Sequence, residues 1–269
     1  SLFNLAAEYY RLGYYTSIQE GADKNVLKEA FRCFQYALYI YSLIKEECLH
    51  KIKANEMPID LLGNHLDYCI SMCIAYGNIQ ILGISKETNP KKFSLHAQLA
   101  KNISENFEKC YKLSNEHPTK NGGKDYFRNF LLYQSSYYHG LMFKALREEA
   151  QKEFDNTGMN YGKILFFQGS FVEQLLECEK TYKKCEKLVN QEKFEKELKN
   201  EQNIGLEMMD KNENVYHQIV PEKDSIKYEK KDMMTSKLPD DLCLGDNEKN
   251  LAEKIDIKLE ELDVLILRE

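Results

Sequence analysis

Apolar residues recur at three- and four-residue spacing through most of the chain. From Asn25 to about Asn55 the set Leu27, Ala30, Phe31, Phe34, Ala37, Leu38, Tyr41 and Ile44 lies on one stripe of a helical wheel, and Leu61 to Ser85 repeats the character. Lys91 to Leu113, Lys124 to Phe154 and Tyr161 to about Asn190 predict further helices, the last two forming an antiparallel pair around the turn "FDNTGMN". Gln191 to Asn212 is polar with a thin apolar line, the pattern of a surface helix. The five prolines, Pro58, Pro90, Pro118, Pro221 and Pro239, fall between these periodic stretches, where helices stop and restart. From Val215 to Leu244 the helical period is lost. The closing "DNEKNLAEKIDIKLEELDVLILRE" restores it, with Leu251, Ile255, Leu259, Leu262 and Ile266 on one stripe.

Long helices joined by short loops make an all-α protein, either a solenoid of helical hairpins or a bundle. No strict repeat period is present, so an array of identical units is not expected. The 269 residues allow one large domain or two small ones. The opening "LFNLAAEYYRLGYY" starts without Met in the middle of an apolar pattern, as expected of a piece of a longer chain, so the lack of a signal peptide says nothing.

Charged residues make up 30% of the chain, yet 18 Tyr and 13 Phe supply the bulk for a core that has no Trp. The net charge of -6, with acids and bases interspersed, argues against nucleic acid as a partner. Lysine-rich stretches, "NPKKF", "TKNGGK" and "KYEKK", offer peripheral contact with an anionic membrane, although solvated charge is the simpler reading of each. No unbroken apolar run reaches the roughly 18 to 20 residues that span a bilayer. Eight cysteines (Cys33, Cys48, Cys69, Cys73, Cys110, Cys178, Cys185 and Cys243) sit mostly within apolar helical stretches and show no disulfide or zinc spacing. They read as reduced thiols of a cytoplasmic protein.

Catalytic constellations are weak. "ECLH", Glu47 to His50, is a single Glu-x-x-His, whereas a di-metal carboxylate bundle needs two such units and further carboxylates. There is no His-Glu-x-x-His, no phosphate loop and no dinucleotide fingerprint. His139 in "YYHGLMF" reads as a satisfied core residue. The expectation is a protein without enzymatic activity, cofactor, metal or small-molecule substrate.

Binding patterns are stronger. On a wheel of Lys91 to Leu113, Phe93, Ala97, Ala100, Ile103, Phe107 and Tyr111 form a core-facing arc, with Leu95 and Leu99 at its edge beside Asn102 and Asn106. The whole apolar arc spans about 200°, against the roughly 100° that one surface helix needs. Either two neighbouring helices cover both sides, or part of the arc faces a partner.

Six stretches, "LFNLAAEYY", "FQYALYIYSLIKEE", "AQLAKNISENFEKCYK", "YYHGLMFKA", "YGKILFFQGSFVEQL" and "KNENVYHQIVPEKDSI", together resemble, in this order, the Bro-one domain of Alix-type proteins from Leu2 to about Pro239. The family's opening β-rich segment has no counterpart here. The resemblance implies a banana-shaped, tetratricopeptide-like solenoid of long antiparallel helices over residues 1–244, with an extended strap near its end. Residues 245–269 would be an amphipathic helix packing on or following the domain. It also implies a non-catalytic adaptor that binds the C-terminal amphipathic helix of an ESCRT-III subunit and is recruited peripherally to endosomes from the cytoplasm, in multivesicular-body sorting and membrane scission. Carried over residue by residue, the family's apolar patch falls on Leu95 and Leu99 with Ile81, and its polar contacts fall on Lys28 and Lys24, with Asp23 adjacent. At Lys24 the family can carry an acid, so the charge pairing here differs. The competing reading is a peptide- or phosphopeptide-binding helical domain resembling the 14-3-3 or tetratricopeptide proteins. Its phosphate grip needs clustered Arg, and Arg11, Arg32, Arg128, Arg147 and Arg268 are widely spaced.

The stretch "DKNENVYHQIVPEKD" puts Tyr216 beside His217 without a nucleophile or carboxylate partner at a recognisable spacing. It reads as a strap that runs back over the helices. Tyr216 and Val220 are expected to be buried, with Val215 and His217 pointing opposite to Tyr216.

Overall fold

A computed structural model describes residues 2–19, 23–51, 61–114, 124–185 and 190–223. Seven α-helices are found among them: α1 (Leu2–Ser17), α2 (Lys24–Leu43), α3 (Gly63–Thr88), α4 (Phe93–Ser114), α5 (Lys124–Thr157), α6 (Tyr161–Tyr182) and α7 (Gln191–Lys211). Each packs chiefly on the helix before and the helix after it, the connectivity of an open solenoid of antiparallel helices. The helix expected to run to Asn55 loosens after Leu43 into a π-helical turn, Ile44–Cys48, and a 3-10 turn, Leu49–Lys51. The expected C-terminal amphipathic helix, 245–269, lies outside the described residues.

Two apolar clusters form the core. The smaller joins α1, α2 and the start of α3 around Phe34, Leu38, Ile40 and Leu66, all no more than 1% exposed. The larger runs from α3 to α7. Tyr76 stitches them together, since its ring lies 5.7 Å from Phe34 and 5.7 Å from Phe107. Tyrosine thus fills the bulky positions where the chain has no Trp.

Buried polar pairs fix how the helices slide against one another. Asn78 of α3 donates to Asn102 of α4 at 2.7 Å, and Ser104 of α4 and Ser135 of α5 each donate to the other's carbonyl, at 2.8 and 3.1 Å. A buried hydrogen bond of this kind is costly to leave unmade, so it disfavours any shifted register. By length and composition α3 is long and apolar enough to cross a bilayer, which no unbroken run in the sequence suggested. Half of its most apolar stretch is buried between α2 and α4, and it carries Ser71, Asn78, Gln80 and Ser85 inside, so the fold uses α3 as a core helix.

The turn from α5 to α6 falls at "FDNTGMN", as the pattern predicts. Gly158 and Asn160 both adopt positive φ, 69° and 72°, the left-handed conformation that glycine and asparagine tolerate best.

The strap differs in detail from its expectation. The chain leaves α7 through a π-helical turn, Asn212–Tyr216, and His217 turns it with φ 52°, so the irregular run begins only at Gln218. Val215 and Tyr216 therefore belong to a helical turn and do not alternate as in a strand. Tyr216 is half-buried, its ring 4.3 Å from Tyr161 and 5.1 Å from Phe154. Val220 is not buried: it is 46% exposed, because the strap is anchored by hydrogen bonds rather than by its aliphatic side chains. Asn212 grips Gln218 from both sides, donating to its carbonyl at 2.9 Å and accepting from its N–H at 3.0 Å. The Gln218 side chain in turn accepts from the Tyr161 N–H at 2.6 Å, satisfying one open donor at the start of α6. The strap backbone crosses directly over Gly162, where an added Cβ would lie 2.0 Å from the Ile219 carbonyl oxygen.

Candidate partner-binding site

The expected contact positions fall on the start of α2, the last turns of α3 and the start of α4. Asp23 caps α2, its carboxylate accepting from the Asn25 and Val26 N–H groups at 2.8 and 3.0 Å. That bond starts the helix and commits one carboxylate oxygen to the backbone. Leu27 in the first turn of α2 lies against Gly83 of α3, where an added Cβ would be 3.1 Å from Leu27 Cδ1. Ser85 of α3 bonds His96 of α4 at 3.1 Å. These two contacts bring the three helix ends together at one end of the α2–α3–α4 layer. Lys28 is exposed and Lys24 half-buried on its α2 edge.

The apolar members divide. Leu99 is fully buried, 0% exposed, so it does not sit at the rim where the wheel placed it. The wheel left its coverage open, and here neighbouring helices provide it. Ile81 and Leu95 are half-buried and pack on the larger core. Leu82 and His96 line one shared groove of about 420 Å³. Ile81 and Leu95 each stand one residue back on their helices, about 100° round from that groove, and do not line it. Leu99 follows Leu95 by one turn on α4 and is buried, and Lys28 lies on α2 at the same end of the layer.

That groove is mixed in charge, with Lys86, Lys144, Glu148 and Glu197 along it. Burial pulls the Lys86 ammonium and the His96 imidazole below their usual ranges. Arg147, which borders the neighbouring groove, pairs with Glu201 at 2.8 Å, so it is not free to hold a phosphate. Arg11 pairs with Glu8 at 3.0 Å, and Arg128 lies over the Tyr111 ring. Among the described residues no arginine cluster forms.

The other sequence candidates lie apart from this end. Glu47 and His50 are both exposed on the loosened turn after α2, and no three of His, Cys, Asp or Glu among the described residues are grouped to hold a metal. The seven described cysteines are free thiols, and burial pushes those of Cys73 and Cys110 far up, which keeps them protonated. His139 is half-buried and stacked on Phe143 at 5.1 Å, with burial lowering its pKa. Of the lysine-rich stretches, Lys91 and Lys92 are exposed between α3 and α4, while "KYEKK" lies outside the described residues.

Pattern reading missed a buried ionic cluster. Glu201 of α7 is 4% exposed and receives Lys144 at 3.1 Å, Arg147 at 2.8 Å and the Gln168 amide at 3.2 Å, and Arg147 also donates to Gln168. Burial works to raise the Glu201 carboxyl, but the Arg147 and Lys144 cations outweigh it and hold the pKa below the usual range. The available signal was the spacing Phe194, Leu198, Glu201, which places an acid on the apolar line of α7.

With this geometry in view, residues 1–259 match the BRO1-like domain family. The chain is a BRO1-like domain. No curated protein matches it at a significant level. Its fold is similar to the structure described as "ALIX BRO1 CHMP4C complex", with a TM-score of 0.74 and 16% identity over 94% of this chain and 66% of that one. "Structure basis for endosomal targeting by the Bro1 domain" describes a second, with a TM-score of 0.73 and 16% identity over 95% of this chain and 65% of that one. A third, ALIX with the SIVmac239 late domain PYKEVTEDL, has a TM-score of 0.73 and 17% identity over 94% of this chain. This BRO1-like domain spans 34% of that ALIX chain and about two thirds of the other two. The helical architecture is therefore the banana-shaped BRO1 solenoid.

Proposed function

We propose that this BRO1-like domain is a non-catalytic adaptor that docks the C-terminal amphipathic helix of an ESCRT-III subunit at the joined ends of α2, α3 and α4, in endosomal sorting and membrane scission. The observation that supports the reading is that Ile81 and Leu95, two half-buried aliphatic side chains, belong to the helix ends that meet at one end of the α2–α3–α4 layer, with Lys24, Lys28 and Asp23 at that end too. A helix laid in a groove needs such a surface, aliphatic contacts flanked by polar groups. The description of one similar structure as a complex with CHMP4C supports the choice of partner. Leu99, being buried, acts by holding Leu95 in place.

Covering one leucine contributes about 1.5 to 3 kcal/mol, part of which goes to ordering a tail that is unstructured when free, so the affinity is micromolar. Such reversibility suits recruitment from the cytoplasm to endosomes, with Lys91 and Lys92 adding contact to an anionic membrane.

The test is a fluorescence titration with synthetic ESCRT-III tail helices, CHMP4C's among them. Leu95→Asp weakens binding at least about tenfold, since 1.4 kcal/mol is a factor of ten, and, with Leu95 only half-buried, lowers the melting temperature modestly while the domain stays folded. Leu99→Asp instead unfolds the layer by placing a charge in the core. Wild-type affinity for these helices in a folded Leu95→Asp protein would sink the assignment.

A further inference from the structure

We propose that the groove between α6 and α7 is the docking site of the chain's own C-terminal amphipathic segment, the stretch carrying Leu251, Ile255, Leu259 and Leu262. This groove of about 590 Å³ is lined by Leu165, Gly169 and Val172 of α6, Leu206 and Met209 of α7, and Val220 of the strap. Leu206 is 65% exposed and Met209 54%, on a helix that buries only Phe194, Leu198 and Glu201. Large aliphatic side chains gathered in one concave surface mark a place that something covers.

Three observations identify the occupant. The described chain arrives at the groove, because Val220 forms its lip and Lys223, three residues on, reaches Glu173 of α6 at 3.8 Å. The match to the BRO1-like family then continues to residue 259, so the stretch after Lys223 belongs to the same domain. Within it, Leu251, Ile255 and Leu259 repeat at four residues, the spacing by which a helix presents anchors to a groove. Dimensions agree as well. Leu165 to Val172 extends about 10 Å along α6, and Leu251 to Leu259 about 12 Å as a helix, at 1.5 Å per residue. Residues 224–250 are ample to span the distance, and the tether keeps the segment at an effective concentration in the millimolar range. Weak docking is then enough.

Gly169 supplies a clean probe. A Cβ there meets nothing within 4 Å, and its φ is not positive, so a larger side chain fills the groove without disturbing α6. Hydrogen exchange of the full 269-residue chain reads the segment directly. Amides between residues 251 and 262 are expected to exchange at least about tenfold more slowly than unstructured chain. Gly169→Leu and, separately, Leu259→Glu abolish that slowing and leave the melting temperature within about 2 °C of wild type, since both act on the periphery. Exchange of the wild-type segment at the unstructured rate overturns the proposal, as does slowing that survives both substitutions. Slowing that vanishes on dilution together with a dimer mass in light scattering assigns the groove to a second copy and overturns it too. The groove shares no lining residue with Ile81, Leu95, Lys24 or Lys28, so the ESCRT-III titration reads a different surface and succeeds or fails independently.

Discussion

The two sides of α6 are held by different balances of apolar and polar contact. Toward the core it presents Phe167, Phe171, Leu175 and Cys178, none more than 2% exposed, and it packs along most of its length against α5. Toward α7 the contact is short and mixed: Phe194 of α7 rests on the Tyr182 ring at 5.1 Å, and Glu201 accepts from Gln168 of α6 together with Lys144 and Arg147 of α5. Apolar burial is non-directional and cumulative, whereas a buried ion cluster holds only while every partner is present. The α5–α6 contact should therefore melt with the whole domain, and α7 should be separable from it.

The largest effect that tests this contrast comes from Phe171→Ala. Emptying a fully buried aromatic site in a core costs about 3 to 5 kcal/mol, and a cooperative fall in thermal stability by circular dichroism checks it. Arg147→Met keeps the stem of the side chain but leaves Glu201 with Lys144 and Gln168 alone, a loss of about 1.5 to 3 kcal/mol for a charged hydrogen bond in a buried site. That loss should be local. Hydrogen exchange should rise in α7 and stay unchanged in α5, and a uniform rise in both helices would show that the two contacts are one cooperative unit.

Acidification makes the same cut without mutation. The folded pKa of Glu201 is depressed, so its contribution is complete above the unfolded value of about 4.3 and is lost as pH falls through the folded one. Below about pH 4, α7 exchange should accelerate before the far-ultraviolet spectrum collapses. In Glu201→Gln, which carries no charge to titrate, that early step should be missing.

The contrast also explains what was legible in the sequence. Helix positions followed directly from periodic apolar residues, since Phe34, Leu38 and Tyr41 or Ile103, Phe107 and Cys110 bury the faces that their spacing defines. The joined ends of α2, α3 and α4 came from resemblance, and the wheel alone placed Leu99 at a rim. A wheel knows angles but not neighbours, and Leu99 is covered where Leu95 is not. The Glu201 cluster was hidden because a buried acid looks like a solvated one until its cations, 54 and 57 residues away in the chain, are seen beside it. The strap was legible as a break in period, but its fastening by Asn212 and Gln218 was not, because amide side chains that bond backbone leave no periodic trace.

The smallest predicted effect on stability, Gly162→Ala, separates the strap from both contacts. A methyl group at Gly162 would sit 2.0 Å from the Ile219 carbonyl, and backbone cannot yield as a flexible side chain does, so the strap must lift. Lifting it frees the Gln218 amide and the Tyr161 amide, which are bonded to Asn212 and Gln218 at 3.0 and 2.6 Å, and exposes the Tyr216 ring that stacks on Tyr161. Against those losses, alanine stabilises the first turn of α6 by up to about 1 kcal/mol over glycine. The two terms oppose each other, so the melting temperature should stay within about 3 °C while exchange at Tyr161 and Gln218 rises sharply. A large fall in melting temperature would instead make the strap part of the cooperative core and erase the distinction between a clamp and a packed layer.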